Sequence, residues 1–123
     1  MSSMTPPPRG PYSPIVRAGD WLVTAGQLGL EDGKLVPGGV VPETAQALAN
    51  VRALLESEGA TMSNVVKTTV YLASIDDWQA MNDPYLEAFG DHRPARTAFA
   101  AAGLPAGAQV EIEAWAYVGK DGG

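Results

Sequence analysis

The chain has 123 residues, 46% of them hydrophobic, with 14 Gly and 10 Pro, which suits one globular domain around one core and excludes two. No cysteine is present, so thiol nucleophiles, disulfides and thiolate metal sites are excluded together, and a reducing compartment fits. Fourteen acidic residues against eight basic give a net charge of −6 with no basic run, a field that repels nucleic acid and anionic membrane.

The first ten residues, MSSMTPPPRG, lack the apolar core of a signal peptide, and no stretch approaches the length of a membrane span, so a cytoplasmic chain is expected. Residues 1–9 read as a loose arm, because Pro6, Pro7 and Pro8 favour extended, solvated backbone. A single domain is expected over 10–119 and a short tail over 120–123. Gly10-Pro11-Tyr12 punctuates the start of the fold, and Tyr12 is either a half-buried turn aromatic or a ring that walls a pocket. Pro14 to Arg17 and Trp21 to Gln27 read as two strands about Ala18-Gly19-Asp20. In the second, Trp21, Val23, Ala25 and Gln27 share a face opposite Leu22, Thr24 and Gly26. Glycine at a strand end predicts a bulge or a close approach of backbone to a ligand. Gly29 to Val40 is a glycine-studded loop with at most a brief strand at Lys34 to Val36.

Pro42-Glu43-Thr44 opens a helix that runs to about Glu58, with Ala45, Leu48, Val51, Leu54 and Leu55 as its apolar stripe and Gly59 as its stop. Ser63-Asn64 leads into a strand over Val65 to Ala73, alternating Val66, Thr68, Val70 and Leu72 against Lys67, Thr69 and Tyr71. Ser74-Ile75-Asp76-Asp77 marks the start of a second helix carrying Trp78, Met81, Tyr85, Leu86 and Phe89 and ending at Gly90. Pro84 makes that helix either start late or kink. The lone histidine, His92, excludes a multi-histidine metal site, and its place in a Gly-Asp-His-Arg-Pro turn predicts an exposed, solvated imidazole.

Arg96 to Ala100 and Val110 to Val118 are the last two strands. In the second the even positions are small or aliphatic, while the odd ones carry Glu111, Glu113, Trp115 and Tyr117. Joined by a loop rich in Gly and Ala, the two strands are expected side by side, with Arg96 and Glu111 near one rim. That is the pair a carboxylate-bearing substrate needs if a base is to act beside it; the ordinary alternative is solvation at strand ends. The order β-β-α-β-α-β-β describes an α+β domain, one mixed sheet with two helices on one face. The other face carries Trp21, Val23, Tyr71, Trp115 and Tyr117, too apolar to stay wet. A homo-oligomer that closes these faces together is expected, with Glu111 near a subunit boundary.

Over nearly the whole length, Gly10-Pro11-Tyr12-Ser13, Thr24-Ala25-Gly26-Gln27, Asn50-Val51, Val66-Lys67-Thr68-Thr69-Val70-Tyr71, Met81-Asn82, Arg93-Pro94-Ala95-Arg96-Thr97 and Val110-Glu111-Ile112-Glu113-Ala114 resemble the reactive intermediate deaminase (Rid) family, the YjgF or L-PSP group. No one motif is specific; their order and spacing are. The resemblance implies a chorismate-mutase-like fold and a homotrimer that closes a central β-barrel, with clefts at subunit interfaces. It implies hydrolysis of 2-imino acids, tautomers of the enamines released by pyridoxal-phosphate dehydratases, to 2-oxo acids and ammonia without a cofactor. The implied partners are a small 2-imino or 2-oxo acid and further copies of the chain, with no metal, nucleic acid or membrane.

By the same resemblance Arg96 grips the substrate carboxylate through a bidentate pair, and Glu111, with a backbone carbonyl, holds and polarises the attacking water. Tyr12 walls the cleft, Asn82 is supplied to it, and Gly26 lets substrate approach the backbone. Two positions depart from the family pattern: Ala25 stands where a serine is usual and Ala98 where a cysteine is usual. One lost hydrogen bond of this kind is worth about 0.5–1.5 kcal/mol, so activity is expected to be reduced or redirected. The alternatives are a non-catalytic 2-oxo acid-binding protein, a ribonuclease or translation inhibitor, which the acidic charge opposes, and a structural or chaperone role.

Overall fold

A computed structural model describes residues 10–119; the N-terminal arm and the C-terminal tail expected above lie outside the described residues. Strands β1 (Ile15–Ala18) and β2 (Trp21–Thr24) form the first hairpin, followed by short pieces β3 (Gln27–Leu28), β4 (Leu30–Glu31) and β5 (Lys34–Leu35). Helix α1 (Val40–Ser57), strand β6 (Val65–Leu72), helix α2 (Trp78–Phe89), strand β7 (Ala95–Ala100) and strand β8 (Val110–Tyr117) complete the chain. The main sheet has the order β1-β2-β8-β6-β7, with β3 also beside β8, while β4 and β5 pair separately as a small ribbon. Among the described residues only β6 and β7 run parallel, and every other pair is antiparallel.

The two strands that carry Arg96 and Glu111 are therefore not neighbours, contrary to the sequence expectation. A parallel partner needs a crossover, and α2 supplies it, laying β7 on one edge of β6. The loop after β7 then carries the chain across to the opposite edge, where β8 enters antiparallel between β6 and β2.

Both helices pack on one face, as the alternation predicts. Val110, Ile112, Ala114 and Ala116 of β8 are fully buried there against Leu48, Val51 and Leu55 of α1 and Met81, Tyr85 and Phe89 of α2. The Tyr85 hydroxyl meets the buried Thr68 hydroxyl at 2.7 Å, tying α2 to β6. In α1 the buried stripe is Thr44, Ala47, Leu48, Val51, Leu54 and Leu55; Ala45, one position off this 3.6-residue spacing, is exposed. Leu86 is exposed for the same reason, because Met81, Tyr85 and Phe89 define the inward side of α2. That helix runs unbroken through Pro84. The N–H that proline lacks would have met the carbonyl of Ala80, an exposed residue. Gly59 and Gly90 take positive φ, 81° and 63°, where the two helices stop.

Two further expectations fail locally. In the β6–β8 ladder Val65 pairs with Ala116 and Lys67 with Trp115, so Val66 is extruded as a bulge and 46% exposed while Val65 takes the buried position. His92 is not a free surface imidazole: its Nε2 lies 2.6 Å from the carbonyl of Val65, next to that bulge, and is only partly exposed. Asn50, buried in α1, donates from Nδ2 to the carbonyls of Leu28 at 3.1 Å and Leu30 at 3.0 Å, fixing the chain just after the segment that forms the site below.

Among the described residues no helix lies on the opposite sheet face. Trp21 packs edge-on to Trp115 at 6.2 Å and to Tyr117 at 5.1 Å, and Tyr71 to Phe99 at 5.4 Å between centroids. Trp115 and Phe99 are each 44% exposed, so this face presents the broad apolar surface read from the strand parity. Among the described residues no helix is long and apolar enough to cross a membrane.

Candidate active site

On the uncovered face the site begins with a second bulge. Val23 pairs with Trp115 and Gln27 with Ile112, so three residues, Thr24, Ala25 and Gly26, oppose only two on β8. The Thr24 hydroxyl accepts the Ala114 N–H at 3.0 Å and so takes the place of the missing ladder carbonyl. The extra residue also flips the parity. Gln27 is buried, on the side opposite to that expected from simple alternation with Trp21 and Val23.

The bulge brings Gly26 against Glu111. A Cβ built on Gly26 would overlap the Glu111 carboxylate, with Cδ at 2.8 Å and Cγ at 3.0 Å. The close approach that glycine permits here is thus to an acid of the same chain. Burial raises the Glu111 pKa above the ordinary 4.5, and the neighbouring Glu113 carboxylate raises it further. Tyr71, directly across from Glu111 on β6, is also pushed up, first by burial and then by Glu113. Ala25 donates its N–H to the Pro14 carbonyl at 2.8 Å and accepts from Gln27 Nε2 at 3.2 Å, which ties the segment carrying the exposed Tyr12 to the bulge.

A second group lies on the helix side of β7. Arg96 pairs with Thr68, whose side chain is fully buried under α2, and Glu111 pairs with Tyr71, three residues further along β6. An odd offset puts the two side chains on opposite faces of the sheet. One chain therefore does not bring Arg96 and Glu111 to one rim. The Arg96 guanidinium instead lies over the Tyr85 ring at 4.7 Å and the Trp78 ring at 5.2 Å, with Nη1 3.7 Å from the Met81 sulfur. Among the described residues the ion pairs are Arg17–Glu58 at 3.5 Å and Arg52–Glu56 at 3.7 Å, so this half-buried cation has no carboxylate partner.

Asn82 stands on the same helix as these rings. Its Nδ2 donates to Gln79 at 3.2 Å, and its Oδ1 is buried without a hydrogen-bond partner among the described residues. Ala98, two residues after Arg96, is half-buried against the core on the Arg96 side of β7. The structure thus places Gly26 and Ala25 in the bulge beside Glu111 on one face of the sheet, and Arg96 and Ala98 on the other face, with Asn82 on the helix that covers it. Trp78, Met81 and Tyr85 escape a sequence reading of the site because their spacing on α2 reads equally as core.

Residues 2–118 match the family described as endoribonuclease L-PSP. The chain belongs to this family. L-PSP relatives include the 2-iminobutanoate/2-iminopropanoate deaminase of Capra hircus, 48% identical over 112 residues that cover 89% of this chain and 82% of that protein. A RutC family protein of Pyrococcus horikoshii is 42% identical over 114 residues, 91% of this chain and 90% of its own. Among solved structures, Escherichia coli TdcF with bound serine superposes with a TM-score of 0.87 at 29% identity, covering 95% of both chains. The α+β fold with two helices on one sheet face and the Rid, or L-PSP, membership read from motif order are the ones observed, and 2-iminobutanoate/2-iminopropanoate deaminases stand among the relatives.

Proposed function

We propose that this L-PSP protein hydrolyses 2-imino acids, in equilibrium with their enamines, to 2-oxo acids and ammonia. The observation that carries the reading is the half-buried Arg96 guanidinium, which lies over two rings and has no carboxylate partner among the described residues. A planar fork of that kind accepts a substrate carboxylate bidentately. Support also comes from the 48% identical goat deaminase and from TdcF, whose bound serine carries the same carboxylate group.

Because Arg96 and Glu111 occupy opposite faces of one sheet, a complete cleft takes Arg96, Asn82 and Ala98 from one subunit and Glu111, Gly26, Ala25 and Tyr12 from its neighbour. A homotrimer that turns the aromatic sheet faces inward as a barrel would bury them and create three such clefts. The chemistry balances without a cofactor. Glu111 takes a proton from water as the oxygen bonds to the imine carbon, and the π electrons of the C=N bond move to nitrogen. Glu111 returns that proton to the nitrogen to give the carbinolamine, then takes the hydroxyl proton as the C=O group forms and passes it to the nitrogen as the C–N bond breaks, so that ammonia leaves and Glu111 is ionised again.

Ala25 favours one alternative, a protein that binds 2-oxo acids without useful turnover. Oxo-acid formation from imines generated in situ by an amino-acid oxidase, with semicarbazide competing, separates the two. Acceleration by this protein supports the deaminase; binding of 2-oxo acids with no acceleration for several side chains supports the alternative.

The Glu111 carboxylate must be ionised to act as a base, and its pKa is raised. The acid limb of kcat/KM is therefore expected above the ordinary carboxylate value of 4.5, and Glu111→Gln should remove the limb while lowering the rate by about 10²- to 10⁴-fold. Stability moves the other way. A raised folded pKa means the folded chain binds the proton more tightly than the unfolded one, so this contribution is present below the ordinary carboxylate range and lost as pH rises through the raised value. Glu111→Gln should then be no less stable than wild type at neutral pH. Thermal melts across pH check this, and a destabilised, still active variant would make Glu111 structural.

Gly26→Ala tests the bulge. The new methyl group would displace the carboxylate, the movable end of a long side chain, rather than the backbone. The fold should persist while kcat/KM falls about 100-fold, the usual consequence of an ångström-scale misplacement. Wild-type turnover in this variant would remove Glu111 from the reaction.

A further inference from the structure

We infer that Trp78 is a positioning residue, which with Tyr85 and Met81 holds the Arg96 guanidinium aimed at a carboxylate before one arrives. The inference deepens the reading above and rests on Arg96 being the carboxylate receptor.

A free arginine on an edge strand has many rotamers and must give up that freedom on binding. Here three side chains restrict it in advance. Trp78, Met81 and Tyr85 fall at i, i+3 and i+7 on α2, one stripe of the helix, and all three touch the same guanidinium. Tyr85 cannot swing away, because its hydroxyl is bonded to Thr68 at 2.7 Å, and Thr68 is the cross-strand partner of Arg96. The holder is thus anchored to the same rung of the sheet as the residue it holds.

The chemistry of the holder matters as much as its place. A Glu or Asp partner would orient Arg96 but would occupy the N–H groups a substrate needs and cancel its charge. Aromatic faces attract the cation through the ring quadrupole and leave the edge of the fork open. Met81 offers a weak sulfur acceptor to Nη1 alone. Trp78 remains 37% exposed, so its loss opens no core cavity and can be tested without unfolding the chain.

The test measures binding of 2-oxobutanoate by calorimetry, together with kcat and KM in the imine assay. Trp78→Leu keeps an apolar side chain without a π face, whereas Trp78→Phe keeps the face. Trp78→Leu should weaken 2-oxobutanoate binding and raise KM by about three- to thirtyfold with kcat changed little, and Trp78→Phe should stay within about twofold of wild type. A second measurement needs no variant fold: the Arg96 Hδ protons of the wild-type protein should show upfield ring-current shifts by NMR. Wild-type affinity in Trp78→Leu, or unshifted Arg96 protons, while Arg96→Ala still abolishes binding, would overturn the inference and leave the receptor standing. Wild-type affinity in Arg96→Ala would overturn both.

Discussion

Arg96→Ala is expected to lose about 2–5 kcal/mol of substrate binding, which lowers kcat/KM by about thirtyfold to several thousandfold. The magnitude follows from what the guanidinium is free to do. It makes no ion pair with the described residues, so its charge is not consumed by the fold, and it is half-buried, so a carboxylate placed on it is partly withdrawn from water. Arg96→Lys should recover little. An ammonium is a point charge that can neither present two parallel N–H groups nor offer a planar cation to the Trp78 and Tyr85 rings. Both variants should melt close to wild type, since the side chain is half-buried and not part of the buried hydrophobic cluster. Steady-state rates and melting curves taken together decide the matter. Wild-type rates in Arg96→Ala would remove the central claim about the site.

The outline of the fold was legible because strand parity and helical stripes record burial directly. The even residues of β8 are all fully buried, and the helix face is the one their alternation predicts. What parity does not record is which strand inserts beside which. Placing β6 between β7 and β8 depends on the crossover through α2, a long-range event with no local signature, and it reverses the expected meeting of Arg96 and Glu111 within one chain. Bulges are invisible for a related reason. At Thr24–Gly26 the ladder tolerates an extra residue because a threonine hydroxyl satisfies the Ala114 N–H, and that competition between side chain and backbone depends on the partner strand. The Val65–Lys67 bulge moves Val66 outward in the same way. The proposed site residues Arg96 and Glu111 were suggested by motif order in the strands. The holder of Arg96 was not, because an aromatic stripe on a helix is ordinary core until the neighbouring strand puts a cation under it.

The two departures from the family pattern fall in different halves of the proposed cleft, and this limits what either can do. Ala25 sits in the bulge beside Glu111, where its backbone N–H and C=O are already bonded, to Pro14 and Gln27. On the proposed reading, a hydroxyl missing there would alter how water or the imine nitrogen is held, and leave the carboxylate-binding Arg96 untouched. Ala98 lies on the Arg96 side of β7 and packs on the core, where a small apolar residue fits the space beside the fully buried Val70. The expectation is a protein that still recognises 2-oxo and 2-imino acids and whose turnover is the more sensitive quantity.

Mixing two inactive chains should restore activity. If each cleft draws Arg96 from one subunit and Glu111 from the next, an Arg96→Ala chain still supplies a sound Glu111 and a Glu111→Gln chain still supplies a sound Arg96. In a cyclic trimer containing both, one cleft of three then receives both wild-type residues. Random equal mixing puts about three in four trimers in this mixed class, so about a quarter of wild-type activity is expected from two parents that have almost none. Co-expression with different affinity tags, followed by sequential purification, isolates the mixed species and raises the expected recovery to about one third. The result discriminates because the opposite-face geometry is specific: were Arg96 and Glu111 of the same chain to serve one cleft, every cleft would carry one defect and no mixing ratio would rescue it. Doubly tagged oligomers with no more activity than their parents would therefore reject the shared cleft, even if the single substitutions behave as expected.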